Sequence, residues 1–177
     1  MKEATLCFLT REPFWKKASE KNYEKKNEKS VKEILLGMKK IGFGKDKFNG
    51  FGGKVENNET VEEAAIRELF EESKIKTKLE NIEKMAKLNF VFPSKPEWNQ
   101  KVHVFLVKNW EGEPEETDEM KPFWVNMNEI PFERMWKDDK HWLPLVLENK
   151  KIKANFIFKE DNENIKEFNI KECKVNL

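Results

Sequence analysis

Six of the seven glycines lie between Gly37 and Gly53, directly ahead of a stretch with the marks of one helix, and this pairing constrains the chain more than any other feature. Glycine concentrates where a backbone must turn tightly or approach a ligand, because it has no Cβ to collide with either. Thr60 then stands at a helix N-cap position, and Glu63 three residues later completes a capping box. The spacing predicts a helix running through AAIRELFEES to about Ser73. At ~100° per residue, Glu68, Glu71 and Glu72 fall within an arc of roughly 100°. Val61, Ala65, Ile66 and Leu69 are left to dock the helix on a sheet. Clustered carboxylates raise each other's pKa, and a divalent cation such as Mg²⁺, which takes carboxylate and phosphate oxygens together, would make sense of them. Arg67, beside Glu68, is placed to orient a carboxylate by a two-pronged contact. A helix with many glutamates is also what an ordinary solvated helix looks like, so the triad by itself leaves both readings open.

The rest of the chain supplies a sheet. Thr5–Thr10, Ser30–Met38, Lys87–Phe92, Lys101–Val107, Pro122–Asn126, Lys153–Lys159 and Asn164–Cys173 read as strands, and His141–Asn149 as a second helix despite Pro144. DNEN, residues 161–164, reads as the turn of a terminal hairpin. Residues 15–30 carry six lysines and Glu20, Glu24 and Glu28 at helical spacing, with little to bury, and read as a solvated insertion between the first two strands. A length of 177 residues and the lack of a convincing linker favour one domain over residues 1–177. Lys plus Arg is 34 against 33 for Asp plus Glu, so a uniformly basic nucleic-acid-binding surface is not expected. The 14 Phe and 6 Trp supply the bulk of a core and argue against disorder of the whole chain. Cys7 and Cys173 lie far apart without metal-ligand spacing, which fits reduced thiols in a cytosolic protein. No apolar run approaches the ~18 residues of a membrane span.

Gly53, Glu59, Arg67-Glu68-Leu69 and Glu71-Glu72, in that spacing, resemble the signature of the Nudix hydrolase family, which cleaves nucleoside diphosphates linked to another moiety. One departure stands out: the signature has glycine where this chain has Lys74, ahead of the expected apolar Ile75. That glycine lets a chain leave a helix through a left-handed turn, so its loss bears on local geometry more than on chemistry. The segments Ile34–Val55, Val102–Phe105, Asp118–Trp124 and Ile130–Leu147 extend the likeness, in particular to the oxidised purine nucleoside triphosphatase (8-oxo-dGTP diphosphatase) subfamily.

The resemblance implies an α/β (α+β) fold, a mixed sheet in an α/β/α sandwich with two main helices. It implies a cytoplasmic enzyme, with nucleus or mitochondrion as further locations in a eukaryote. It should act as a monomer on purine nucleoside triphosphates, with no stable nucleic-acid partner and no membrane. The reaction implied is hydrolysis of substrates such as 8-oxo-dGTP and 2-oxo-dATP to monophosphate and diphosphate, with Mg²⁺, or Mn²⁺ in its place. Catalysis would fall to Glu68, Glu71, Glu72 and Arg67, and metal binding to the Gly52 carbonyl, Glu68, Glu71, Glu72 and Glu119. Substrate contacts would come from Thr5, Lys39, Phe43, Asn49, Phe51, Gly52, Gly53, Lys54, Phe90, Trp136, Asp138 and Asp139.

By the same likeness Trp136 stacks on the base, while Asp138 and Asp139 share protons and read its edge. The physics agrees: stacking tolerates modified bases, and neighbouring buried carboxyls raise each other's pKa. Taken alone, however, Trp136 would be a core residue, Asn49-Gly50 a turn and Asp138 or Asp139 a helix cap. Ala4, Phe48 and Gln100-Lys101 depart from the subfamily around the pocket, and a lysine added there would favour a different purine edge and keep methylated purines such as O6-methyl-dGTP in play. Hydrolysis of another nucleotide diphosphate, or nucleotide binding without catalysis, are the competing readings.

Overall fold

The computed structural model describes residues 1–12 and 32–174. The charged insertion at 15–30 lies outside the described residues. Strands β1 (Lys2–Arg11), β2 (Glu33–Lys39), β3 (Phe48–Asn49), β4 (Ile82–Val91), β5 (Gln100–Val107), β6 (Met120–Asn126), β7 (Ile152–Phe158) and β8 (Ile165–Glu172) form one sheet in the order β3-β2-β1-β5-β4-β7-β8, with β6 also paired to β2. The sheet is mixed: β1 with β5 and β4 with β7 run parallel, and the remaining pairs antiparallel. Helix α1 (Val61–Ser73) covers one face, and α2 (Asp139–Leu147) the other.

The two cores follow from alternation along β1, whose successive side chains point to opposite faces. Leu6 and Phe8 face α2, where Trp142 meets Phe8 edge-on at 6.0 Å among Leu143, Val146 and Phe156. Cys7 and Leu9 face α1, packed with Ala65, Leu69, Ile75 and Phe105. Fully burying side chains of this size contributes about 1.5–3 kcal/mol each, enough to hold α1 and its acidic face in one place.

Several elements are longer than or shifted from the sequence reading: β1 begins at Lys2 rather than Thr5, β6 at Met120 rather than Pro122, and α2 spans Asp139–Leu147 rather than His141–Asn149. β4 begins at Ile82, five residues early, because a bulge between Lys84 and Ala86 breaks the alternation that would reveal it. Asn49-Gly50 is no turn: Asn49 closes the short strand β3 against Gly37, and its own Oδ1 accepts from the Gly50 N–H at 2.8 Å. The loop from Pro93 to Asn99 contains a 3₁₀ turn, Pro96–Trp98. At 161–164 the reading holds, since Asp161 Oδ1 accepts from the Glu163 and Asn164 amides and ties the β7–β8 turn. Among the described residues no helix is long and apolar enough to cross a membrane.

Candidate active site

Residues 51–55 run beside β1 with Phe51, Gly53 and Val55 exchanging backbone hydrogen bonds with Cys7, Thr5 and Glu3. Alternation turns the Gly52 amide away from β1, and its N–H donates to Glu72 Oε2 at 2.9 Å. The approach is very close. A Cβ on Gly52 would lie 2.0 Å from the Thr5 carbonyl oxygen, and one on Gly53 2.5 Å from the Glu68 carboxyl. The glycines therefore let a strand and a helix face meet with nothing between them but carboxylates.

Helix α1 is capped as its sequence requires: the Thr60 hydroxyl accepts from the Glu63 N–H at 3.1 Å and the Glu63 carboxylate accepts from the Thr60 N–H at 2.7 Å. At the other end Lys74 takes the left-handed conformation, φ 62° and ψ 7°, and donates its backbone N–H to the Phe70 carbonyl. The missing glycine has changed the residue and kept the turn.

Two cations organise the acids. Arg67 holds both oxygens of Glu59, at 2.7 and 3.0 Å, and donates to Glu68 at 2.9 Å, Glu71 at 3.1 Å and the Lys54 carbonyl at 3.1 Å. Its hydrogen bonds pull the Glu59 carboxyl down to about 2. Lys39 bridges Glu72, at 2.9 Å, and Glu119, at 3.1 Å. Burial alone would push the Lys39 ammonium down, and these two partners hold it above its ordinary value. Burial raises Glu68 against the pull of Arg67, with Glu71 and Glu119 adding repulsion, and raises Glu72 against the pull of Lys39 and the Gly52 N–H. Glu68 and Glu72 are thus partly desolvated acids repelled by their neighbours, a donor set suited to a divalent cation. With Glu68 and Glu71 turned to Arg67 and Glu72 and Glu119 to Lys39, no three acids among the described residues are gathered into a ready-made ion cage.

Beside these carboxylates opens a cavity of about 210 Å³. Thr5, Lys39, Phe43, Asn49, Gly52, Gly53, Lys54, Phe90, Trp136, Asp138 and Asp139 line it, as does Glu72, so the base-side and phosphate-side candidates share one space. Thr5 Oγ1 is buried without a partner among the described residues, and Thr5 is one of the residues lining the cavity. Phe51 is the exception. It pairs with Cys7 across the backbone, paired residues share a sheet face, and Cys7 faces α1; the Phe51 ring is accordingly fully buried in the α1 core and does not reach the cavity. Lys101 also disappoints its expectation, because its ammonium pairs with Glu3 at 3.0 Å and the side chain does not line the pocket. Phe48 likewise packs on Phe123 in the core. Ala4 and Gln100 do line the cavity.

The acid pair sits deep. Asp138 and Asp139 are 4% and 2% exposed. Asp138 Oδ2 accepts from the Trp142 indole N–H at 2.9 Å, and Asp139 Oδ2 from the Trp136 backbone N–H at 2.9 Å. Asp138 occupies the cap position of α2 without its side chain capping it. Burial pushes Asp138 up to about 6, and burial with repulsion from Asp138 pushes Asp139 well above its ordinary value against the pull of Lys47. Trp136 is stacked by Phe43 at 4.8 Å and approached by the Lys47 ammonium at 5.0 Å. Gly44, Lys47, Phe92, Trp142 and Phe158 line the cavity too, and the sequence reading missed them as site residues. The one signal for Gly44 and Lys47 was their place in the glycine-rich run.

The NUDIX domain family matches residues 25–146. Oxidized purine nucleoside triphosphate hydrolase from Danio rerio is 48% identical over 125 residues, covering 71% of this chain and 78% of that protein. The protein of the same name from Mus musculus is 42% identical over 139 residues, covering 78% and 86%. Among solved structures, a mutator MutT protein from Bacillus halodurans superposes with a TM-score of 0.72 over 96% of this chain and 97% of its own, at 21% identity, a likeness of fold.

Proposed function

The chain belongs to the Nudix family, and from that premise we propose that it hydrolyses oxidised purine nucleoside triphosphates, such as 8-oxo-dGTP and 2-oxo-dATP, to the monophosphate and diphosphate, clearing damaged nucleotides from the pool. The observation that carries this reading is that Trp136, Asp138 and Asp139 line the same cavity as Gly52, Gly53 and Glu72. Relatives named for this activity, at 42% and 48% identity, support it.

Nudix hydrolases generally use divalent metals, and for this chain we propose Mg²⁺. Glu68, Glu71, Glu72, Glu119 and the Gly52 carbonyl would hold it. Bound there, such a cation would neutralise triphosphate charge and lower the pKa of a water. The chain's own groups do the remaining work. Arg67 ties Glu68 and Glu71 to Glu59 and so fixes where their carboxylates point. Lys39 bridges Glu72 and Glu119 and holds them side by side, and as a residue of the cavity lining it would also meet a phosphate oxygen. At the other end, Trp136 offers a face for the purine, and Asn49 a donor and an acceptor for its edge. Asp138 and Asp139, held where protonation is easy, let one carboxyl donate while the other accepts, which suits either an oxidised guanine or an oxidised adenine.

The test is steady-state hydrolysis of 8-oxo-dGTP, 2-oxo-dATP, O6-methyl-dGTP and dGTP by purified protein with Mg²⁺, both products resolved. The expected result is a kcat/KM for an oxidised purine at least about tenfold above dGTP, lost in Glu72→Gln. Equal turnover of all four would refute the assignment of substrate, and Mg²⁺-dependent turnover surviving in Glu72→Gln would refute the role given to that carboxylate.

A further inference from the structure

One aromatic of the cavity lining, Phe43, sits at the tip of a loop whose ends are closed by the Lys39 N–H to the Lys47 carbonyl at 3.0 Å and the Asp46 N–H to the Lys39 carbonyl at 2.8 Å. Phe43 is 53% exposed and stands between Gly42 and Gly44, whose φ values are 74° and 82°. A Cβ at Gly42 would meet nothing within 4 Å, whereas one at Gly44 would lie 3.3 Å from the Trp136 ring, so packing constrains one side of Phe43 and leaves the other open. The Phe43 ring lies against Trp136 at 4.8 Å, 23° from parallel. What meets it from the side is Trp98, edge-on at 5.1 Å and 71°.

Trp98 is well anchored. It ends the 3₁₀ turn Pro96–Trp98 in the β4–β5 loop, and its N–H donates to the Lys95 carbonyl at 2.8 Å. The Lys95 ammonium lies 3.9 Å over its ring, and Phe92 meets that ring at 5.9 Å while stacking on Phe158 at 4.4 Å. The loop is tied down as well: Asn99 Oδ1 accepts from the Phe92 N–H at 2.7 Å, and the Glu97 carbonyl from Lys2 Nζ at 3.0 Å. A continuous chain of ring contacts therefore runs from the sheet core through Phe92 and Trp98 to Phe43 and Trp136. Phe43, Phe92, Trp136 and Phe158 line the cavity, and Trp98 does not.

We propose that Trp98 is a positioning residue for the purine: it fixes Phe43 against Trp136 and so orders the ring on which the base stacks. The inference rests on the function proposed above. Its physical basis is preorganisation, since a wall already ordered in the free protein spares the ligand the cost of ordering it. A glycine-flanked phenylalanine without that lateral support would sample many orientations.

The test uses Trp98→Leu and Trp98→Phe in the whole protein. In Trp98→Leu, KM for the preferred oxidised purine rises about fivefold or more while kcat stays within about twofold, and Trp98→Phe restores most of the loss. Hydrogen exchange of the ligand-free protein gives a readout independent of turnover: amides 40–47 exchange faster in Trp98→Leu and near wild-type rates in Trp98→Phe. Unchanged exchange and KM would overturn the proposal. So would a fall in KM, which would make Phe43 a lid that competes with the base. If the wild-type protein turns over no oxidised purine, the reading of function fails by itself, and exchange over 40–47 still decides whether Trp98 holds Phe43.

Discussion

Replacing Asp138 by asparagine should stabilise the protein at neutral and alkaline pH while damaging its activity. The carboxyl is 4% exposed, and burial moves it from an ordinary 3.8 to about 6. Ionising it in the native state therefore costs about 3 kcal/mol more than ionising it in the unfolded chain. Because the native state holds this proton more tightly, the contribution of Asp138 to stability is fully present below about pH 4, falls as pH rises through about 6, and is gone above that. Asparagine keeps an acceptor for the Trp142 indole N–H and has no proton to lose. It also removes the repulsion that Asp138 exerts on Asp139, an effect of the same sign. The difference in stability, variant minus wild type, should start near zero at pH 4 and grow to about 1–3 kcal/mol at pH 8. At about 2–4 °C per kcal/mol for a chain of this size, melting temperature should rise by roughly 2–12 °C. Thermal melts of both proteins from pH 4 to pH 8 measure it, and taking the difference cancels the titrating groups other than Asp139. Over the same series kcat/KM for an oxidised purine should fall by more than about tenfold, because a pocket built to read a base edge has lost a group whose proton can move. A difference that stays flat with pH would refute the placement of this carboxyl in a dry pocket.

Lys74→Gly should raise melting temperature by about 1–4 °C, because the residue sits at φ 62° where a Cβ costs roughly 1–2 kcal/mol and glycine's greater freedom in the unfolded chain returns part of that gain; an unchanged or lower melting temperature would show that the lysine's contact over Phe70, at 5.4 Å, outweighs the strain. Gly52→Ala should lower both stability, by about 1–3 kcal/mol, and activity, since its Cβ would lie 2.0 Å from the Thr5 carbonyl oxygen and force β1 away from the strand that meets Glu72. Wild-type melting and turnover in that variant would mean the glycine strand has slack the geometry does not show.

What could be read from the sequence and what could not divides along a physical line. The capped helix, its acidic face and most strands were legible because each is set by local rules: a cap and its partner three residues on, a helical period, or alternation. The first turn of β4 was not, since its bulge interrupts the alternation. The site was legible in part: of the residues that spacing picks out, Gly53 and Glu72 line the cavity, while Glu68 and Glu71 turn to Arg67 outside its lining. Phe51 shows the limit. It lies within three residues of Asn49, Gly52, Gly53 and Lys54, all of which line the cavity, yet pairing with Cys7 sends its ring to the opposite face of the sheet. Lys101 fails for a related reason, because a neighbour on β1, Glu3, captures its charge. Trp98 fails in the other direction: on its own it is one aromatic in a proline-bounded loop, and only the fold sets it beside Phe43 and Phe92. Contacts between loops that are distant in sequence have no period to betray them. The parts of a site that depend on such contacts, the width of a base slot above all, are therefore the parts in which one chain can differ from its relatives while every signature residue stays in place.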